Sequence, residues 1–191
     1  EAFRSMNDMT MDGNAVANTI VAYMTNDNFK YYDDELELHD GALGDVEKVS
    51  EDPLKVKYTF SDEASWSDGT PVDAVDLTLT WAARSQHFNT IEDNRDAEGT
   101  LKDNPEDTVY FDSSAVGAPL IKDFPEISDD RKSVTFTYSK PFADWETEFG
   151  LGAYGSGVPA HIVAKNALGT SDAQEGKDAI LEAIEDEDET A

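Results

Sequence analysis

Residues Trp66-Ser67-Asp68-Gly69-Thr70-Pro71-Val72-Asp73-Ala74-Val75-Asp76 constrain the fold of this chain more than any other stretch. Just before them, Leu54, Val56, Tyr58 and Phe60 alternate with Lys55, Lys57 and Thr59, the period of a half-buried strand. Just after, Val75, Leu77, Leu79, Trp81 and Ala82 build a helix over about 73–85 that reads as buried on more than one face. Gly69, Thr70 and Pro71 between them are turn chemistry. Asp73 is a good helix N-cap. Asp76, three residues on, repeats the capping-box spacing with a shorter acid and suits the positive end of the helix dipole. Strand, sharp turn and capped helix are thus encoded in one short window.

That window carries a resemblance. Tyr58-Thr59-Phe60, then Trp66 to Val72, then Ala74-x-Asp76-Leu77 resemble the signature of the extracellular solute-binding proteins of peptide-type ABC transporters, the oligopeptide, dipeptide and nickel group called family 5. Phe3-Arg4-Ser5-Met6-Asn7 resembles the family's short motif after its first strand. Ser133 to Pro141 resembles a family hairpin, and Val158 to Val163, with Pro159 and His161, a family helix start.

The resemblance implies a mixed α/β fold: most of the first lobe of a two-lobed, type II periplasmic-binding-protein-like architecture. That lobe would carry an extra β-rich subdomain; a mixed strand/helix subdomain containing the signature at 58–77 would span about 35–140, and 186–191 would be a frayed acidic tail. The chain would be a trimmed piece that ends before the crossover into the second lobe. By family position, Met6, Asn7, Asn14 and Tyr154 are the candidate solute contacts, while Trp66, Asp68, Gly69, Pro71 and Asp76 are structural. The implied role is to capture oligopeptides or dipeptides outside the cytoplasm and deliver them to ABC permease subunits. The implied location is the cell surface, as a membrane-anchored lipoprotein, or the periplasm.

Composition narrows the alternatives. Fourteen basic against 42 acidic residues give a formal net charge of -28 over 191 residues. Such a surface repels phosphate backbones and anionic lipid, so nucleic-acid binding and direct membrane adsorption are not expected. There is no cysteine, which excludes disulfides, zinc thiolates and cysteine nucleophiles. No apolar run approaches the ~18 residues that span a bilayer. The rival reading from another class is an acidic cell-surface adhesion domain assisted by calcium.

Elsewhere the pattern is plainer. A first helix should start near Asn14 as N-cap, with Val16, Ile20, Val21 and Met24 facing the core. Residues 86–107 read as an exposed, partly disordered excursion, Thr108 to Phe111 as a short strand, and Phe142 to Phe149 as a short helix. Residues 121–127 and 133–139 should pair across a turn at Asp129 to Lys132. A last helix is expected over 171–185, with Ile180, Leu181 and Ile184 inward.

Other motifs fail on context. Gly150-x-Gly152-x-x-Gly155 lacks the strand before and helix after that a dinucleotide fingerprint needs, and reads as a flexible loop near the cleft. Two calcium-loop beginnings, at Asp8 and Asn94, end on Thr19 and Pro105 where a bidentate Glu is required. His39, His87 and His161 lie in separate segments with no second histidine at ligand spacing. No nucleophile elbow appears and nothing singles out one carboxylate pair, so a non-enzymatic chain without cofactor or metal is expected. Trp66, Trp81 and Trp145 each lie in a patterned segment and read as packing residues.

Overall fold

A computed structural model describes residues 3, 15–100, 102–113, 115–151 and 157–190. Its centre is a four-stranded antiparallel sheet in the order β3-β4-β6-β5. The strands are β3 (Gly44–Glu51), β4 (Leu54–Phe60), β5 (Glu126–Ile127) and β6 (Ser133–Thr137). A separate two-stranded sheet pairs β1 (Lys30–Tyr32) with β2 (Leu38–Asp40).

The alternation read from β4 is what the structure uses. Leu54, Val56, Tyr58 and Phe60 are all buried, and Lys55, Lys57 and Thr59 are half-buried on the other face. Val134 and Phe136 of β6 fall on the same buried face, because Tyr58 pairs with Val134 and Val56 with Phe136. One face of the sheet is therefore core and the other meets water.

Aromatic rings fill the buried face. Tyr58 meets Phe29, Phe136 and Phe149 edge-on, with ring centroids 5.3, 5.9 and 6.0 Å away. Helix α2 (Ala74–Ser85) lies over this cluster, and its Trp81 is fully buried with Phe88 and Phe124 at its edges. The Trp81 Nε1–H donates to the Ile121 carbonyl at 3.1 Å, so the indole's one polar group is satisfied. Residues buried around α2 bear out the reading that it is buried on more than one face, although Asp76, Thr78, Thr80, Arg84 and Ser85 among them are polar. Two further helices, α3 (Ala160–Leu168) and α4 (Ala173–Thr190), pack on each other and on α2. Ile180 and Ile184 of α4 are buried, on the side expected.

Several expectations need correcting. Helix α1 (Val16–Thr25) buries Asn18 and Ala22, while Val16, Ile20 and Met24 are 68, 54 and 80 % exposed. Periodicity marks an apolar stripe but does not say what it meets; here the small Ala22 sits on the packed side. Ala15 is the N-cap residue, with no side-chain cap bond, and Asn14 lies outside the described residues.

Residues 108–111 form no strand. Their backbone is held by side chains instead: Asn89 both donates to and accepts from Phe111, and Thr90 Oγ1 accepts from Val109 N. The excursion before them is likewise pinned, by Asn94 Nδ2 donating to Lys102 O and by an Arg95–Asp112 ion pair. Residues 143–150 are successive turns and not a helix. Finally, α4 runs to Thr190, past the 185 expected.

Trp81→Ala should destabilise the fold by about 3–5 kcal/mol, the usual cost of emptying a buried aromatic site. Urea denaturation followed by circular dichroism measures it, and a loss under about 1 kcal/mol would contradict the packing described.

Candidate functional site: the frame around the glycine-rich loop

The candidate solute contacts Met6, Asn7, Asn14 and Tyr154 all lie outside the described residues, as do Gly152 and Gly155. What the structure describes is the frame on either side of them, and the signature residues build one half of it.

The signature folds as a tight turn. Trp66 N–H donates to Thr70 O at 2.8 Å and Gly69 N–H to Trp66 O at 2.9 Å. Gly69 has φ +87, a conformation that glycine takes without strain. The Asp68 carboxylate accepts from Thr70 N at 2.9 Å and faces His161 Nε2 at 2.9 Å. Asp68 thus braces its own turn and ties it to α3. The Thr70 N–H and the His161 ring together hold the Asp68 carboxyl down at about 2. Pro71 closes the turn by bridging to Ser65, and its carbonyl accepts from Lys177 Nζ at 2.8 Å.

Asp73 and Asp76 then make a complete capping box. Asp73 Oδ1 accepts from Val75 N and Asp76 Oδ2 accepts from Asp73 N, each at 3.0 Å. Asp76 does more than cap. It is fully buried, and its Oδ1 accepts from Ala160 N at 2.8 Å while its Oδ2 accepts from Lys177 Nζ at 2.7 Å. Burial pushes the Asp76 carboxyl up, and the Lys177 ammonium and the Ala160 N–H oppose it. One carboxylate therefore joins the start of α2, the start of α3 and the second turn of α4.

The same turn of α2 anchors the C-terminal end of the glycine-rich loop. Val158 N–H donates to Thr80 Oγ1 at 2.9 Å. Gly157, at φ +78, lies so close that a Cβ there would sit 2.6 Å from Asp76 O. The N-terminal end of the loop is anchored separately. Gly150 O accepts from Lys30 N of β1 at 2.9 Å. Beside it, Arg84 and Glu148 form an ion pair at 3.0 Å with both side chains 7 % exposed. Glu148 also accepts from Gly117 N and Ala118 N, each at 3.2 Å. Burial raises the Glu148 carboxyl, and the Arg84 guanidinium pulls the other way.

Sequence reading missed Lys177, Arg84 and Glu148. Each is a single charged residue far along the chain from its partner, and only the presence of one lysine in an otherwise acidic last helix hinted at a role. Trp66 and Trp145 are partly buried against the core cluster. Among the described residues one group could hold a metal: Asp33, Glu37 and His39, with donor atoms within 4.8 Å of one another. Asp33 already accepts from Glu35 N and Glu37 N and faces His39 Nε2 at 2.7 Å, so the group is accounted for as a braced turn. No helix among the described residues is long and apolar enough to cross a membrane.

Two predictions follow from this frame. Lys177→Met leaves Asp76 buried without its counter-charge and should cost about 3–5 kcal/mol in urea unfolding, with Lys177→Met/Asp76→Asn less damaging than the sum of the singles. For Asp68, whose folded pKa is depressed, the stabilisation is present above the unfolded value of ~4 and is lost as pH falls towards 2. Asp68→Asn should therefore lower the Tm at pH 7 and converge with the parent near pH 2; parallel Tm–pH curves would refute the assignment.

Known proteins bear on this geometry. No family model matches the chain. The oligopeptide-binding protein OppA of Mycobacterium tuberculosis is 29 % identical over 119 residues, covering 62 % of this chain and 16 % of that protein. An uncharacterised lipoprotein of the same organism is 38 % identical over 88 residues, 46 % of this chain and 16 % of its own length. Among solved structures, the periplasmic EDTA-binding protein EppA superposes with a TM-score of 0.62 at 23 % identity, covering 92 % of this chain and 28 % of that one. NikZ of Campylobacter jejuni, solved in complex with Ni(L-His), gives 0.50 at 19 % identity, covering 90 % and 28 %. This chain thus spans about a sixth of the curated relatives and under a third of the solved ones. Sequence likeness makes the chain a homologue of part of the oligopeptide-binding protein OppA, and its fold is shared with part of EppA and of NikZ.

Proposed function

We propose that this chain is part of the first lobe of an extracellular solute-binding protein that captures oligopeptides or dipeptides and passes them to an ABC permease. The observation that carries the reading is the 119-residue likeness to OppA. The mycobacterial lipoprotein relative supports an extracytoplasmic, membrane-anchored location.

Under this reading the frame holds the solute-contacting segments in place. The loop bearing Tyr154 is gripped at Gly150 and at Gly157–Val158, and helix α1 follows the segment bearing Met6, Asn7 and Asn14. Rigid anchors around a glycine-rich loop let backbone groups approach a peptide main chain closely, so that main-chain hydrogen bonds give affinity without reading sequence. A second lobe would complete the enclosure, so the 191-residue chain alone should bind peptide weakly or not at all.

The test is native mass spectrometry of the full-length protein, gently purified. A heterogeneous set of short peptides released on denaturation is the expected result. A single non-peptide species would change the solute and keep the transport role. A protein that is empty, and whose Tm is unmoved by peptide pools yet raised by calcium, would overturn the reading in favour of an adhesion domain.

A further inference from the structure

The end of α1 and the strands β1 and β2 border a cleft of about 560 Å³ that the signature frame does not use. Tyr23, Asp27, Asn28, Tyr31, Asp40 and Gly41 are among the residues that line it, and no lysine or arginine is. Its aromatic walls are held by contacts of their own. The Tyr23 hydroxyl accepts from Tyr32 N at 3.1 Å and donates to Tyr32 O at 3.3 Å, which fixes the ring against β1. Tyr31 stacks on His39, with ring centroids 5.4 Å apart. Gly41 passes so close to the chain opposite that a Cβ there would overlap Asn28 O.

Asn28 gives this cleft a chemical preference. It is 7 % exposed, and its Nδ2 donates to Asn26 O at 3.3 Å, while its Oδ1 is buried and receives no hydrogen bond. A buried amide oxygen without a donor costs stability, and a ligand N–H would remove that cost. Asp27 is exposed and has no ionic partner among the described residues, whereas Asp40 is held by the buried Lys30, Nζ to Oδ1 at 2.7 Å. An orphan acceptor, a free carboxylate and two aromatic rings together call for a ligand that donates hydrogen bonds, carries positive charge and brings apolar surface. A hydrated metal ion brings no apolar surface, and one carboxylate with one amide oxygen falls short of the oxygen ligands that calcium takes. An ammonium on a methylene chain meets all three demands.

We propose that this cleft binds a primary alkylammonium group, of the kind a lysine side chain or a free polyamine carries, with its N–H groups towards Asn28 Oδ1 and Asp27 and its methylene stem against the Tyr23 and Tyr31 rings. The site is built from this chain's own residues, so it stands or falls separately from the transport reading and needs no second lobe.

NMR titration of the isotope-labelled 191-residue chain with n-butylammonium chloride at pH 7 tests this, in about 150 mM NaCl to suppress diffuse attraction to the acidic surface. Saturable shifts confined to the amides of 26–28 and 40–42 and to the Asn28 side chain are expected, with a midpoint on the order of 1–10 mM. Tyr31→Leu should weaken binding about threefold and Asp27→Asn about fivefold. Asn28→Ala, with native folding checked by its β4 amide shifts, should weaken it about tenfold. Asp103→Asn, the same loss of charge on an exposed residue outside the cleft, should leave binding unchanged. Nα-acetyl-lysine amide and putrescine carry the same head group, and the one that saturates the cleft at the lower concentration identifies the source. Absence of shifts at the cleft with about 100 mM ligand would overturn the proposal. So would shifts spread over the whole acidic surface, or an equal effect of Asp27→Asn and Asp103→Asn.

Discussion

A carboxylate with no solvent exposure is the point on which this structure turns. Taking Asp76 out of water is costly unless donors replace the lost hydration, and an ammonium alone does not use all of its lone pairs. The chain meets that demand from three places: Asp73 N–H one turn back, Ala160 N–H at the start of α3, and Lys177 Nζ from the second turn of α4. Each donor brings its element with it. Helices that already share one apolar core cluster are thereby fixed in one arrangement, because any other would strand a buried charge.

The second buried pair works at the far end of the same helix. Arg84, in the last turn of α2, meets Glu148, which in turn receives the N–H groups of Gly117 and Ala118. Asp76 and Arg84 thus mark the two ends of α2, one beside Gly157 and Val158, the other beside Phe149, over whose ring the guanidinium lies at 5.4 Å. The C-terminal end of the glycine-rich loop is therefore held by α2 directly, and Glu148, just before its N-terminal end, is tied to the same helix through Arg84.

Charge is divided sharply between interior and surface. Inside, Arg84 and Lys177 each have a buried carboxylate partner; outside, acids outnumber the cations that pair with some of them, such as Lys55 with Glu126 and Lys132 with Asp62. The interior pairs lie in low dielectric and are insensitive to salt, whereas the surface field is set by the medium. Fold specificity and surface electrostatics are in this way assigned to different residues.

Local signals were legible in the sequence wherever one segment specified its own structure. Alternation over 54–60, turn chemistry at 69–71 and the Asp73/Asp76 spacing each depend on neighbours within a few residues, and strand, turn and capped helix stand where that spacing puts them. Reading failed where the partner was remote. The apolar stripe of α1 gave no sign that Asn18 and Ala22 would be the packed side, and residues 108–111 had strand-like letters but found Asn89 and Thr90 side chains in place of a neighbouring strand. Sequence alone determined the local elements and the capping geometry, because hydrophobic period and hydrogen-bonding side chains act over one or two turns. Only the tertiary structure decided that Asp76 would be a junction and Lys177 its counter-charge, because a buried ion pair between residues a hundred positions apart exists only once the helices have met.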